Sequence, residues 1–177
     1  MPSGSVHDAI TFLLAAPTAA GAYALSGDPA IAAVTGFAFV FAGLMFGPDL
    51  DTKSKQYARW GPFRLLWLPY RTLFKHRSRW SHGLIFGTLF RVVYFLGAMT
   101  VAIFLVAVAI NFALGEKAPQ ALDFVRRWES IGAVFVSDRA GTMFAAVFGG
   151  MWAGAASHTL TDIAITYIKT GRVDALF

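Results

Sequence analysis

A chain of 177 residues that is 56% hydrophobic, 14% charged and +5 in net charge is too apolar for an ordinary soluble domain, since globular chains average about 25% charged residues. Its mean hydropathy of +0.57 agrees, as does the abundance of Phe and Gly, with 17 of each. With no cysteine present, disulfides and thiolate metal sites are excluded, so a metal would have to be held by histidines and carboxylates.

The N-terminal stretch "MPSGSVHD" lacks the Lys and Arg that open a signal peptide, so the first apolar segment is expected to be retained. Four runs approach the roughly 20 apolar residues of a membrane helix: residues 9–27, interrupted by Pro17, and then 29–48, 84–115 and 140–168. Residues 52–82 between the second and third runs carry Lys53, Lys55, Arg59, Arg64, Arg71, Lys75, Arg77 and Arg79 and no acid, whereas residues 116–139 balance to zero charge. The positive-inside rule then puts loop 49–83 and both termini in the cytoplasm, and loop 116–139 outside it. The expected fold is an all-α integral membrane protein: one domain over residues 1–177 with about four transmembrane helices. This placement accounts for the net charge through membrane lipids, with no nucleic acid as partner.

Within the basic loop, Trp60, Trp67 and Phe74 recur every seven residues, beside Arg64, Arg71 and Lys75. That spacing predicts an amphipathic interfacial segment anchored among lipid headgroups, kinked at Pro62 and Pro69. The alternative for the same stripe is a cradle for an anionic substrate. Arg91, inside the third run, is expected to snorkel to the cytoplasmic side.

On this topology the unusual polar residues converge. His7 and Asp8 start the first span, and Asp49 and Asp51 in "GPDLD" end the second. His76 and His82 in "KHRSRWSHG" precede the third. His158 and Asp162 sit near the end of the fourth. Hydropathy and Lys/Arg counts assigned the spans and sides without using these positions, yet all of them fall at one membrane face. His158 and Asp162 are one helical turn apart, and Asp49 and Asp51 would point the same way in extended backbone. Imidazole with carboxylate suits a divalent metal, Zn first with Mn or Fe as alternatives. Candidate ligands are His7, Asp49, Asp51, His82, His158, Asp162 and, less strongly, His76. They exceed one catalytic zinc's needs, so one or two ions are expected, with a carboxylate bridging two. Two-metal sites activate water for attack on phosphorus or a carbonyl. Asp8 or Asp51 would be the general base, and Arg77 with Arg79 would stabilise an anionic transition state. Small residues at Gly150 and Gly154 suit close helix packing one turn before His158.

The segments "SGSVHD", "PDLDTKS", "RWGPFRLLWLPY", "HRSRWSHG" and "SHTLTD" follow one another across nearly the whole chain. In them the sequence resembles a bacterial family of uncharacterised metal-binding membrane proteins, related to the YdjM-like inner-membrane metal-dependent hydrolases. The resemblance implies a metal site, a membrane location and, by analogy, hydrolase chemistry, with no substrate specified. Together these readings point to a metal-dependent hydrolase acting at the cytoplasmic face on an anionic or lipid-like ester. The alternative is a non-enzymatic metalloprotein, serving as a structural or accessory subunit of a protein complex or homo-oligomer. Transport fares worst, because the polar residues do not thread the midplane.

Overall fold

Four long helices account for the four apolar runs. The computed structural model describes residues 3–74, 78–84, 86–115, 126 and 138–171, and among these no strand occurs. The long helices are α1 (Gly4–Ser26), α2 (Pro29–Met45), α6 (Phe86–Ala113) and α7 (Asp138–Thr170). Between α2 and α6 the chain forms a 3-10 turn (Pro48–Asp51), α3 (Lys55–Arg59), a second 3-10 segment (Gly61–Trp67), α4 (Leu68–Leu73) and α5 (Arg79–His82).

Local chemistry sets the helix ends. α1 runs unbroken through Pro17 and stops at Gly27, whose φ of 65° is open to glycine without strain. Asp28 then caps α2, its Oδ1 accepting from Ala30 N at 2.7 Å, with Pro29 at the first helical position. This two-residue connection makes α1 and α2 antiparallel. Arg139 Nη1 lies 3.7 Å from Asp28 Oδ2, which tacks the start of α7 to the same end. His7, Asp49 and His158 therefore share the opposite end.

α2 packs most extensively on α7 and next on α1. Glycines permit the close approach: a Cβ on Gly154 would lie 2.2 Å from the Phe39 carbonyl oxygen, and one on Gly150 would lie 2.4 Å from that of Thr35. The small-residue pair in α7 thus seats its backbone directly on α2. Above that crossing sits an aromatic core in which Phe46, Trp67 and Tyr70 are fully buried. The Phe95 ring stacks on Trp67 at 5.8 Å and 8°, and the Trp60 ring meets it edge-on at 5.3 Å.

Three expectations change here. The Trp60–Trp67–Phe74 stripe is not an outward lipid anchor: Trp67 is buried and the Phe74 ring packs 4.6 Å from Tyr70. A seven-residue repeat keeps one face only at about 3.6 residues per turn, and the segment between Gly61 and Trp67 winds as 3-10, at three per turn. Its exposed apolar residues are Phe63, Leu65, Leu68 and Leu73 instead. Arg91 does not snorkel outward. It is buried, donating from Nη1 to Ser81 O at 2.5 Å and from Nη2 to Thr88 Oγ1 at 3.0 Å, and so holds α5 against α6. Finally, three helical stretches among the described residues, not four, are long and apolar enough to cross a membrane: Gly4–Ser26, Pro29–Asp51 and Phe86–Ala113. α7 spans 33 residues, but its glycines, hydroxyls, His158 and Asp162 dilute its hydropathy.

The glycine crossing is open to a direct test. Gly154→Val is expected to lower stability by about 1–3 kcal/mol or more through overpacking against α2, read as a drop in thermal midpoint in detergent. Gly149→Val, where an added Cβ meets nothing within 4 Å, should leave the midpoint unchanged.

Candidate metal centre

Each ligating side chain reaches the shared end from a different element. His7 comes from the first turns of α1, Asp49 and Asp51 from the 3-10 turn, His82 from the end of α5, and His158 and Asp162 from adjacent turns of α7. Pro48 starts the 3-10 turn, so Asp49 and Asp51 are not in the extended backbone their alternation suggested. They still converge, because His82 lies between them: Nε2 is 3.5 Å from Asp49 Oδ1 and Nδ1 is 3.4 Å from Asp51 Oδ2.

The six side chains form two groups, His7–His158–Asp162 and Asp49–Asp51–His82, each with ligand atoms within 4.8 Å of one another. In the first, His7 Nε2 is 3.3 Å from Asp162 Oδ1 and His158 Nε2 is 3.7 Å from Asp162 Oδ2. Asp49 joins the groups, since its Oδ2 lies 3.4 Å from His158 Nε2 while its Oδ1 faces His82. The His7 and His158 rings stack at 3.7 Å and 11°, an arrangement that two imidazolium cations would oppose.

The donors fit a divalent cation on three grounds. His7, Asp51, His158 and Asp162 are buried, at 2–6% exposure. Asp49 Oδ1, His158 Nε2 and Asp162 Oδ1 are enclosed yet make no hydrogen bond, a costly state for buried polar atoms. The separations of 3.3–3.5 Å between His7 and Asp162, His158 and Asp49, and His82 Nε2 and Asp49 match the edge of a tetrahedron whose metal–ligand bonds are about 2.0–2.1 Å. The charge agrees. Burial opposes an imidazolium at His82, but the facing carboxylates of Asp49 and Asp51 outweigh it and raise its pKa above the ordinary value. A site that draws protons onto a buried imidazole carries surplus negative charge.

Other expected residues stand apart. Asp8 is outside the cluster: Arg59 grips it from Nη1 to Oδ1 at 2.8 Å and from Nη2 to Oδ2 at 2.6 Å, and Lys55 Nζ donates to Oδ2 as well. With both oxygens committed to cations it is a strut between α1 and α3 and a weak proton acceptor. Asp51 is turned onto His82. His76, Arg77 and the intervening loop residues 116–125 lie outside the described residues, and so does the Arg79 side chain.

Two supporting residues carried no spacing signal. Gln56, 5% exposed on the short helix α3, donates from Nε2 to Gly43 O at 2.8 Å, and that atom lies 3.4 Å from His158 Nδ1. Gly47 makes room for it, because a Cβ there would fall 2.3 Å from Gln56 Nε2. Gln56 therefore braces the ring nitrogen of His158 that faces away from the carboxylates. Arg91 does the same for α5 by gripping the carbonyl of Ser81, the residue before His82.

An all-helical bundle that gathers three imidazoles and three carboxylates at one buried end has the donor set of a metal-binding protein. Residues 2–172 match the family described as "Uncharacterized metal-binding protein (DUF2227)", and the chain belongs to that family. No curated protein and no solved structure matches it significantly.

Gln56→Leu keeps the volume and removes the brace. It is expected to weaken metal affinity by about 10–100-fold, measured by competition with a chromogenic chelator, while the helical circular dichroism stays that of the parent.

Proposed function

We propose that this protein is a membrane-embedded, metal-dependent hydrolase acting at the cytoplasmic face on an anionic or lipid-like ester. The observation that carries the reading is that the centre is not sealed. A cavity of about 230 Å³ opens on it, lined by His7, Asp49 and His158 from the cluster and by Lys55, Gln56 and Arg59 from α3. A purely structural site is closed, whereas a catalytic one keeps an open position.

His7, His158, Asp162 and one oxygen of Asp49 would hold one cation, and the other Asp49 oxygen with Asp51 and His82 would hold a second. Zn suits this donor set best, and Mn or Fe also fit. A divalent cation there supplies a Lewis acid that acidifies water and polarises the ester. The chain's own residues bind, orient and wall off: α2 and α7 exclude bulk water from one side, Gln56 fixes the His158 ring, and Arg91 anchors the helix carrying His82.

Membrane location is supported by the three apolar helices and by α6 in particular, whose most apolar stretch holds no buried residue. The run of cations in residues 52–82 supports a cytoplasmic site.

Metal measured by elemental mass spectrometry is expected at one or two equivalents per chain after chelator-free purification. His158→Ala should abolish it while the protein remains in the membrane fraction. The metal-loaded parent should turn over a member of a panel of phospho- and acyl-esters that the variant does not. Full metal with no turnover across the panel would favour the accessory-subunit reading. Full occupancy in His158→Ala would remove the ligand assignment. A reporter fused after Ala118 should be extracytoplasmic, and a cytoplasmic signal would overturn the orientation.

A further inference from the structure

We propose that the cavity beside the metal centre is a binding site for a terminal phosphate group, and that Lys55 selects it. This deepens the hydrolase reading by naming the substrate class. It rests on that reading only in sharing the same centre as one wall.

The cavity has two chemically different walls. His7, Asp49 and His158 form one, and Lys55 and Arg59 form the other. The cationic wall is only partly neutralised, because Asp8, which lines the cavity beside them, is the one acid that both cations contact among the described residues: two positive charges face one negative. Arg59 commits three of its five N–H donors, two to Asp8 and a third to Leu44 O at 2.8 Å, and its side chain is the less exposed of the two. Lys55 is the freer group. Its side chain is 52% exposed, and an ammonium has three protons to donate, of which one is directed at Asp8. Lys55 is therefore the group able to turn toward a ligand, while Arg59 keeps Asp8 in place.

A ligand that fills this space must be anionic and small. At about 230 Å³ the cavity is below the roughly 300–1,000 Å³ of a site for a drug-sized molecule, which favours a small group. A terminal phosphate fits. Its oxygens can face the metal centre and the Lys55 ammonium at once, and its double charge suits a pocket with a cation on one side and a net positive wall on the other. A carboxylate has one charge fewer and one oxygen fewer to span the same gap. Gly4 of α1, which also lines the cavity, leaves room for the lysine stem, since a Cβ would lie 3.2 Å from Lys55 Cδ.

The test is titration of the detergent-purified, metal-loaded full chain with inorganic phosphate by isothermal calorimetry, which needs no turnover. Saturable binding is expected in the parent. Lys55→Ala should weaken it by about tenfold or more, the effect of removing a charge-assisted hydrogen bond, with metal content unchanged. Lys55→Arg should restore most of the affinity, and Lys53→Ala, at an exposed position off the cavity, should have no effect. Acetate should bind far more weakly than phosphate. No saturable phosphate binding, equal affinity in Lys55→Ala, or acetate binding as tight as phosphate would each overturn the proposal. Short-chain phosphatidic acid separates the two sources of the group: tighter binding than phosphate assigns a phosphorylated lipid, and equal binding assigns a water-soluble monoester. Phosphate binding without hydrolysis of any ester would remove the hydrolase reading and leave this site standing. Hydrolysis without phosphate binding would do the reverse.

Discussion

Three carboxylates and three imidazoles share one enclosed volume at the end of a helix bundle, and the rest of the structure follows from that constraint. Ionised groups taken out of water cost several kcal/mol each unless they are paired. Asp162 is nearly inaccessible, and the two histidines that face it, at 3.3 and 3.7 Å, are too long in their contacts to pair it well. A divalent cation is a partner that carboxylates and imidazoles can share. The bundle end has to be held in place against electrostatic repulsion among its carboxylates, and three devices do this. Glycines let α7 lie against the α2 backbone so that His158 and Asp162 cannot swing away. A stack of aromatic rings holds the irregular segment after α2 in place. A buried guanidinium ties α5 to α6 and adds positive charge within electrostatic reach of Asp49 and Asp51.

The short elements between α2 and α6 matter more than their length suggests. They supply Asp49, Asp51 and His82 to the centre, Lys55 and Arg59 to the cavity, and Gln56 to the back of His158. The long helices give the frame and two of its three histidines, whereas the chemistry on the open side is set by turns of four to seven residues. Those turns are held by side chain to backbone bonds, such as Trp60 Nε1 to Met45 O at 2.7 Å and Tyr94 OH to Leu66 O at 2.5 Å.

Much of this was legible from residues alone. The four helices could be read because each is an apolar run bounded by charge or by Gly and Pro, and the shared end could be read because loop charge fixes direction. His158 and Asp162 could be paired because helical spacing places them one turn apart. What stayed hidden depended on winding and on contacts between distant segments. The aromatic repeat in residues 60–74 has a helical period, but a 3-10 winding turns Trp67 inward. Asp8 sits next to a ligand in sequence, yet its side chain leaves the opposite side of the turn and meets Arg59. Gln56 is a single amide in a basic loop, with no partner at any recognisable spacing, and only the fold brings it to His158. Arg91 looked free to reach the surface because hydropathy does not report the carbonyl waiting at Ser81.

The order of the ligands along the chain has a consequence for biogenesis. Asp162 is made 155 positions after His7 (162 − 7). At synthesis rates of about 5–20 residues per second, the two emerge roughly 8–30 seconds apart. During that interval α1 and α2 can already pair through their two-residue turn, with His7 and Asp49 made and α7 not yet present. The cluster closes only when α7 docks, so a chain truncated before residue 158 would carry His7 and Asp49 without the helix that completes the group.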